Sequence, residues 1–355
     1  MTARSLGAGS KVALLCHGYT GDTRAKLANT LLRYGKADVV AIVDSACAGQ
    51  SFDALTGIPT AAPIVATVRE AADLGAEILV IAVALLGGQI PPEWRTDLLF
   101  AADAGMSIVN PMHVRLEHDD ELRSRIREGR WIWDLRVEPE GLQPASGRAL
   151  GLSIPRILTV GTDMAVGKLT AAIELMRGLE AQGRRVGFVA TGQVGICALG
   201  RGIPLDGIRV DFAAGAVESE VMRESERADC VLIEGQGAIC HPSASANLAL
   251  IRGSMPTHLL FVHRAGQTRI RSMDWAIIPD LERMIRLYED IAACAGAFPK
   301  PVTFAIALNT AHMSPTEAED AVRSTETSLG LPTADPIRHG VGKFIAALAP
   351  AMTPA

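Results

Sequence analysis

Short apolar runs rich in Val, Ile and Leu recur along the chain, each followed by a longer stretch whose apolar positions return at helical spacing. That alternation is the signature of a parallel sheet covered by helices on both faces. In the first half, residues 12–16, 39–43, 78–84 and 107–109 read as strands. Residues 22–34, 63–74 and 93–104 read as helices, and a charged helix follows near 119–128. Periodicity fades between about 138 and 153, where Pro, Gly and Ser collect, so a linker is expected there. Strands then resume at 156–161, 186–190, 230–233, 258–262 and 302–308. The helix predicted over 168–182 carries Ala172, Leu175, Met176 and Leu179 on one stripe and ends at Gly183, a residue suited to a left-handed cap. Ser314-Pro315-Thr316-Glu317 has the form of a capping box opening another helix. The expected architecture is therefore α/β with two parallel-sheet domains, a Rossmann-like one over 1–145 and a P-loop NTPase-like one over 146–355.

Composition sharpens this picture in three ways. A chain of 355 residues, 48% hydrophobic, can bury two cores, and with only 4% aromatic residues those cores must be built from aliphatic side chains. A net charge of −5 without a basic stripe argues against a nucleic-acid partner. The six cysteines lie far apart with no C-x-x-C pair, as expected of buried thiols in a reducing cytoplasm. The longest apolar run is too short to span a bilayer and the N-terminus lacks an apolar signal core, so a cytoplasmic protein without a membrane partner is expected.

The chemistry begins at Arg156-Ile-Leu-Thr-Val-Gly-Thr-Asp-Met-Ala-Val-Gly-Lys-Leu-Thr170, which reads as strand, glycine-framed loop and helix start. This is the layout of a phosphate-binding P-loop. Gly161 and Gly167 allow the tight backbone path that turns N–H groups toward an anion, and Lys168 adds a charge at the helix N-terminus. A nucleotide-hydrolysing loop carries Ser or Thr next, as a magnesium ligand. Here that position is Leu169, and the hydroxyl comes one residue later at Thr170. Such a loop suits a phosphate-bearing molecule held without attack on its phosphates, with coenzyme A the foremost candidate.

Ligands of open parallel sheets sit beyond the carboxyl ends of the strands, which directs attention to the polar residues there. They are Thr191-Gly-Gln193, then Glu234-Gly-Gln-Gly-Ala-Ile-Cys-His241-Pro-Ser243, then His263 and Arg264, then Asn309 and Thr310. Glu234 takes the place of a Walker-B-type carboxylate; it is either a general base or metal-associated group, or the ion-pair partner of Lys168. His241 can titrate near neutrality and take a proton from an amine, or can simply hydrogen-bond a carbonyl. Arg264 can grip a carboxylate in bidentate fashion, with Arg269 and Arg271 as competitors. Gln193, Asp211 and Ser243 complete the candidate substrate-binding residues. In the first half, Asp44-Ser-Ala-Cys-Ala-Gly49 and Gly87-Gly-Gln89 have the look of ligand-facing loops.

Gly161-Thr-Asp-Met-Ala-Val-Gly-Lys168 is similar to the phosphate loop of dethiobiotin synthetase, and Ile233-Glu-Gly-Gln-Gly237 resembles that enzyme's glutamate-containing strand end. The whole arrangement, including Asp211-Phe-Ala-Ala-Gly215 and Glu234-Gly-Gln-Gly…His241-Pro-Ser243, resembles more closely the D-glutamate N-acetyltransferases, a family long known as a domain of unknown function. The resemblance implies acetyl-CoA as co-substrate, no metal, and D-glutamate or a related D-amino acid as acceptor. It implies that Gly161, Thr162, Asp163, Ala165, Val166, Gly167, Lys168 and Thr170 hold the cofactor, with catalysis by Lys168 and by Glu234 or His241. Two rivals remain: a Mg-ATP-dependent ligase or kinase of the dethiobiotin synthetase type, and a non-catalytic CoA or nucleotide sensor. A homodimer is the expected assembly.

Overall fold

The structure, a computed structural model, describes residues 4–352. Six short strands, β1 (Lys11–Leu15), β2 (Asp38–Val43), β3 (Ile64–Val65), β4 (Ile78–Ile81), β5 (Ser107–Asn110) and β6 (Ile132–Asp134), form a parallel sheet. Their order, β3-β2-β1-β4-β5-β6, is that of an open Rossmann-type sheet, with the order reversing beside β1. A second parallel sheet contains β7 (Arg156–Gly161), β8 (Val186–Val189), β9 (Cys230–Ile233) and β10 (His258–Arg264). A separate antiparallel ribbon, β11 (Arg269–Ile270) with β12 (Met273–Ile277), follows before β13 (Val302–Asn309) and β14 (Thr333–Ala334) complete that sheet. Its order is β14-β13-β10-β7-β9-β8. The fold is thus α/β in both halves.

Both sheets are buried on two faces, which is why their strands read as unbroken apolar runs rather than alternating ones. The helix Lys168–Ala181 buries Ala171, Ala172, Leu175 and Leu179 against the second sheet, while Met176 on the flank of that stripe is half-buried. Gly183 has φ +79° and the N–H groups of Gly183 and Arg184 close the helix end onto Glu180 and Leu179. The helix Pro315–Leu329 opens with a complete capping box between Ser314 and Glu317.

Several elements differ from the sequence reading for local reasons. The helix expected over 63–74 is two elements: Ile64 and Val65 pair with β2 as an edge strand, and Thr67 caps a helix that runs only over Val68–Asp73. The expected charged helix shrinks to Asp120–Arg125, capped by Asp119. β6, β14 and the ribbon were not anticipated, since β6, β14 and β11 are only two or three residues long and leave no periodic trace. Of the cysteines, Cys16, Cys197 and Cys230 are buried, Cys47 and Cys240 are half-buried, and Cys294 is exposed.

The chain forms two compact units. One holds the residues up to Glu138 together with Gln193–Gly207, and the other holds Pro139–Gly192 and everything from Ile208 onward. The sequence suggested a single division at 145/146, but the helix Gln193–Leu199 packs on the helix Lys26–Tyr34 of the first unit.

Candidate functional site

The phosphate loop grows out of β7, with β10 on one side and β9 on the other. Close packing dictates its first glycine: a Cβ on Gly161 would lie 2.4 Å from the Val262 carbonyl oxygen of β10. Beyond it Ala165 takes φ +56° and Gly167 φ +115°. A left-handed conformation at a non-glycine residue costs energy, and strain of this kind gathers at ligand-binding loops. Gly167 leads into the helix beginning at Lys168, with no side chain capping that N-terminus. Its N–H groups and positive end therefore face the loop.

Side chains hold this path rigidly. Asn309, at the end of β13, donates from Nδ2 to the Val166 carbonyl at 3.1 Å. The Tyr288 hydroxyl donates to the Gly161 carbonyl at 2.9 Å and accepts the Ile239 N–H at 2.9 Å, tying the loop to the segment after β9. Asp163 is fully buried. Its Oδ1 accepts the Met164 N–H, and its Oδ2 accepts from Gln267 Nε2 at 2.6 Å and from the Arg271 N–H at 2.7 Å. The carboxylate of Asp163 thus shapes the loop from behind. Lys168 is buried and its Nζ donates to the Asp163 carbonyl at 2.7 Å, which keeps the ammonium within the loop. Thr162 Oγ1 lies 2.9 Å from His263 Nδ1, and burial pushes the pKa of His263 down to about 4, so that ring is neutral.

Leu169 and Thr170 are both partly exposed on the first turn. One residue along a helix is a rotation of about 100°, so the Thr170 hydroxyl projects from a different face than a hydroxyl at 169 would.

Glu234 follows β9 directly. Its Oε2 accepts the N–H groups of Thr191 at 2.9 Å and Gly192 at 3.3 Å, and its carbonyl accepts the Thr191 hydroxyl. These bonds join the ends of β8 and β9 and fix the carboxylate's direction. Gly235 is required next: a Cβ there would fall 1.7 Å from the Thr159 carbonyl oxygen and 3.1 Å from Lys168 Cδ. The catalytic candidates Glu234 and Lys168 are therefore brought to one corner of the site.

His241 is buried with Nδ1 accepting the Ser243 N–H at 3.1 Å. That bond puts the proton of a neutral ring on Nε2, which stands 3.9 Å from Asp163 Oδ1. His241 so arranged is a proton donor at Nε2 rather than an acceptor. Ser243 is exposed and contributes this backbone N–H. Arg264 ends β10, half-buried, and its guanidinium makes no hydrogen bond or ion pair among the described residues. Asp211 sits exposed in the first turn of the helix Val210–Ser225, where its charge complements the helix end. Gln193 opens the helix that belongs to the first unit.

In the first unit the Asp44 loop is closed on itself. Asp44 accepts the N–H groups of Gly18, Thr20 and Ala46, and although burial acts to raise its pKa, these donors leave it below the usual carboxylate range. Its carboxylate is a structural tie across the ends of β1 and β2.

A family model described as the P-loop domain of a domain of unknown function, DUF1611, matches residues 143–345, and its Rossmann-like companion matches residues 45–138. The chain belongs to the DUF1611 family. A crystal structure of a DUF1611 family protein from Anabaena variabilis is 44% identical, with a TM-score of 0.94 over 96% of this chain and 100% of that one. A curated relative from Tritonibacter scottomollicae, named D-glutamate N-acetyltransferase, is 35% identical over 80% of this chain and 84% of its own length. A second of the same name, from Pseudoalteromonas sp, is 33% identical over 79% of this chain and 84% of its own.

In this DUF1611 chain, sequence reasoning missed Tyr288 and Gln267. Both reach the loop from segments with no motif. Only the order of the strands brings them to the site. Asn309 was visible as a polar residue just past an apolar run, though its role as a loop brace was not.

Proposed function

We propose that this chain is an acyltransferase that moves the acetyl group of acetyl-CoA to the amino group of D-glutamate or a related D-amino acid. The observation that carries this reading is Leu169: an otherwise complete phosphate loop lacks the hydroxyl that would hold magnesium at that position. The names of two relatives, at 35% and 33% identity, support the same chemistry. In this reading the loop N–H groups not already bonded within the protein, together with the Lys168 ammonium, bind a phosphate group of CoA, with Thr170 at the rim. Asp163 contributes by bracing the loop.

The acceptor must reach the site as a free amine, its ammonium having released one proton to solvent. The amine nitrogen attacks the thioester carbonyl carbon, and backbone N–H groups stabilise the oxyanion that forms. Glu234, oriented by Thr191 and Gly192, takes the second amine proton as the C–N bond forms. The C–S bond then breaks, the carbonyl re-forms, and that proton goes to the CoA thiolate. Arg264 binds one acceptor carboxylate. The products are N-acetyl-D-glutamate and CoA. The reading further includes a cytoplasmic homodimer acting on small molecules, with no resident metal.

A second reading, a Mg-ATP-dependent ligase or kinase, is favoured by Glu234, whose place after the strand beside β7 suits a magnesium-ordering carboxylate. One experiment separates the two. Thiol release from acetyl-CoA is followed with D-glutamate, with L-glutamate and without acceptor, beside a Mg-ATP hydrolysis assay and mass detection of products. D-Glutamate-dependent thiol release with N-acetyl-D-glutamate formed supports the transferase. Magnesium-dependent ADP formation without thiol release rejects it in favour of the second reading.

A further inference from the structure

The amino-terminal end of β7 carries a buried charge. Arg156, the first residue of that strand, is 4% exposed, yet it takes part in no ion pair among the described residues. An arginine is almost never buried to this degree without a partner. Its Nε donates to the Met255 carbonyl at 2.8 Å, and its Nη1 donates to the carbonyls of Leu152 at 2.8 Å and Ile154 at 3.2 Å. Met255 closes the helix Ala246–Ser254, and such a helix end carries about half a negative charge, so these carbonyls offset only part of the guanidinium. Met255 also takes a left-handed conformation at φ +41°, a local strain of the kind that gathers at binding sites. Burial lowers the Arg156 pKa with no carboxylate acting against it, but a guanidinium stays protonated at neutral pH.

The remaining nitrogen, Nη2, makes no hydrogen bond among the described residues, and it is not sealed from solvent as the orphaned Thr303 Oγ1 is. Arg156 lines a partly open cavity of about 100 Å³. Met255, Pro256, Ala292 and Phe298 give that cavity apolar walls, and the exposed Leu150 and Lys300 also border it. Glu289 and Asp290, which pair with Lys300, do not, so none of the bordering residues is acidic. A dry apolar cavity of about 150 Å³ accommodates benzene, so this one takes roughly four non-hydrogen atoms. That is a carboxylate group with its first carbon enclosed, and a longer tail would leave by the open side. The phosphate loop leaves the other end of β7, roughly 17 Å along the strand, which makes this cavity separate from the candidate functional site.

We propose that this cavity is a second binding site, one that takes a short-chain aliphatic monocarboxylate with its oxygens on Arg156 Nη2 and its alkyl carbons against Met255, Ala292 and Phe298. A single negative charge matches what the backbone carbonyls leave over on the guanidinium. Phosphate fits less well, because its remaining oxygens would meet carbon rather than donors. The site stands apart from the proposed transfer reaction, and its test does not use that activity.

Butyrate is titrated calorimetrically into the full chain without acetyl-CoA or an amino acid, beside butyramide, which has the same shape without the charge, and inorganic phosphate. The parent is expected to bind butyrate with a Kd of about 1 mM or lower, and the other two at least tenfold more weakly. Three variants locate the site. Ala292→Leu fills the cavity with Arg156 intact, and Arg156→Lys keeps a positive charge without Nη2. Each is expected to weaken butyrate binding at least tenfold, with near-UV circular dichroism reporting whether the variant is folded. Lys168→Ala, at the phosphate loop, is expected to leave butyrate affinity unchanged. The proposal is overturned by absence of butyrate binding to the parent, by butyramide or phosphate binding as tightly as butyrate, or by an affinity within twofold of the parent in a folded Ala292→Leu or Arg156→Lys. Loss of butyrate binding in Lys168→Ala overturns it as well, since the anion then sits on the phosphate loop. The comparison of the three ligands needs no variant, so it tests the site even where a variant does not fold.

Discussion

His263 is neutral because burial lowers its pKa to about 4, and its Nδ1 is engaged with the Thr162 hydroxyl at the root of the phosphate loop. In the unfolded chain the same ring titrates near its ordinary value of about 6.5. Between those values the unfolded state binds a proton that the native state does not. The stabilisation is therefore complete above about pH 6.5 and is lost as pH falls toward 4. Urea unfolding at pH 7 and pH 5 should show the parent losing about 2 kcal/mol more than His263→Gln over that interval. Lys168 tests a different property of the same loop. Its ammonium is held by the Asp163 carbonyl and adds charge where the loop N–H groups converge. Lys168→Ala is expected to raise the KM for acetyl-CoA at least tenfold, the loss of roughly 1.4 kcal/mol or more of binding. Near-UV circular dichroism should be unchanged. An unaltered KM would remove the loop from cofactor binding.

At the scale of elements, the glycines divide by what surrounds them. Gly235 follows β9 where its Cα faces the Thr159 carbonyl, and a Cβ would stand 1.7 Å from that oxygen. Backbone cannot yield as a side chain tip does, so Gly235→Ala must push β7 and β9 apart. A loss of about 3 kcal/mol or more is expected in the unfolding free energy obtained from denaturant titration. Gly183 ends the helix Lys168–Ala181 at φ +79° with open space around it. There Gly183→Ala meets only the intrinsic cost of the left-handed conformation, about 1 kcal/mol. Gly183 was legible as a helix stop because a periodic stripe runs up to it. The reason for Gly235 was not, because Thr159 is 76 residues away in sequence and only strand pairing brings the two together.

At the scale of the whole molecule, the chain leaves the second unit at Gln193 and re-enters it at Ile208. A fragment ending at residue 145 therefore lacks the helix Gln193–Leu199 that packs on the helix Lys26–Tyr34. Such a fragment is expected to bind a hydrophobic dye and to lack the cooperative thermal transition of the full chain. If it folds as sharply as the full chain, the segment is an accessory to the first unit rather than part of it. The reaction as a whole should be indifferent to chelation. With Leu169 in place of the magnesium hydroxyl, EDTA is expected to leave the rate of D-glutamate-dependent thiol release unchanged, and a loss restored by magnesium would favour the nucleotide reading.

Local patterns were enough to determine much of this protein. Aliphatic runs alternating with helical stripes specify two parallel sheets, because strands buried on both faces can be written only in such residues. The glycine spacing, Lys168 and Leu169 lie within one short segment, so both the phosphate loop and the missing hydroxyl next to its lysine are readable in order along the chain. The tertiary structure decided whatever depends on neighbours distant in sequence. Asp163 became a brace once Gln267 and Arg271 were brought behind it, and Asp44 became a tie once Gly18 and Thr20 enclosed it. Residue type records what a side chain can do, but burial and the strand order set which partners it meets.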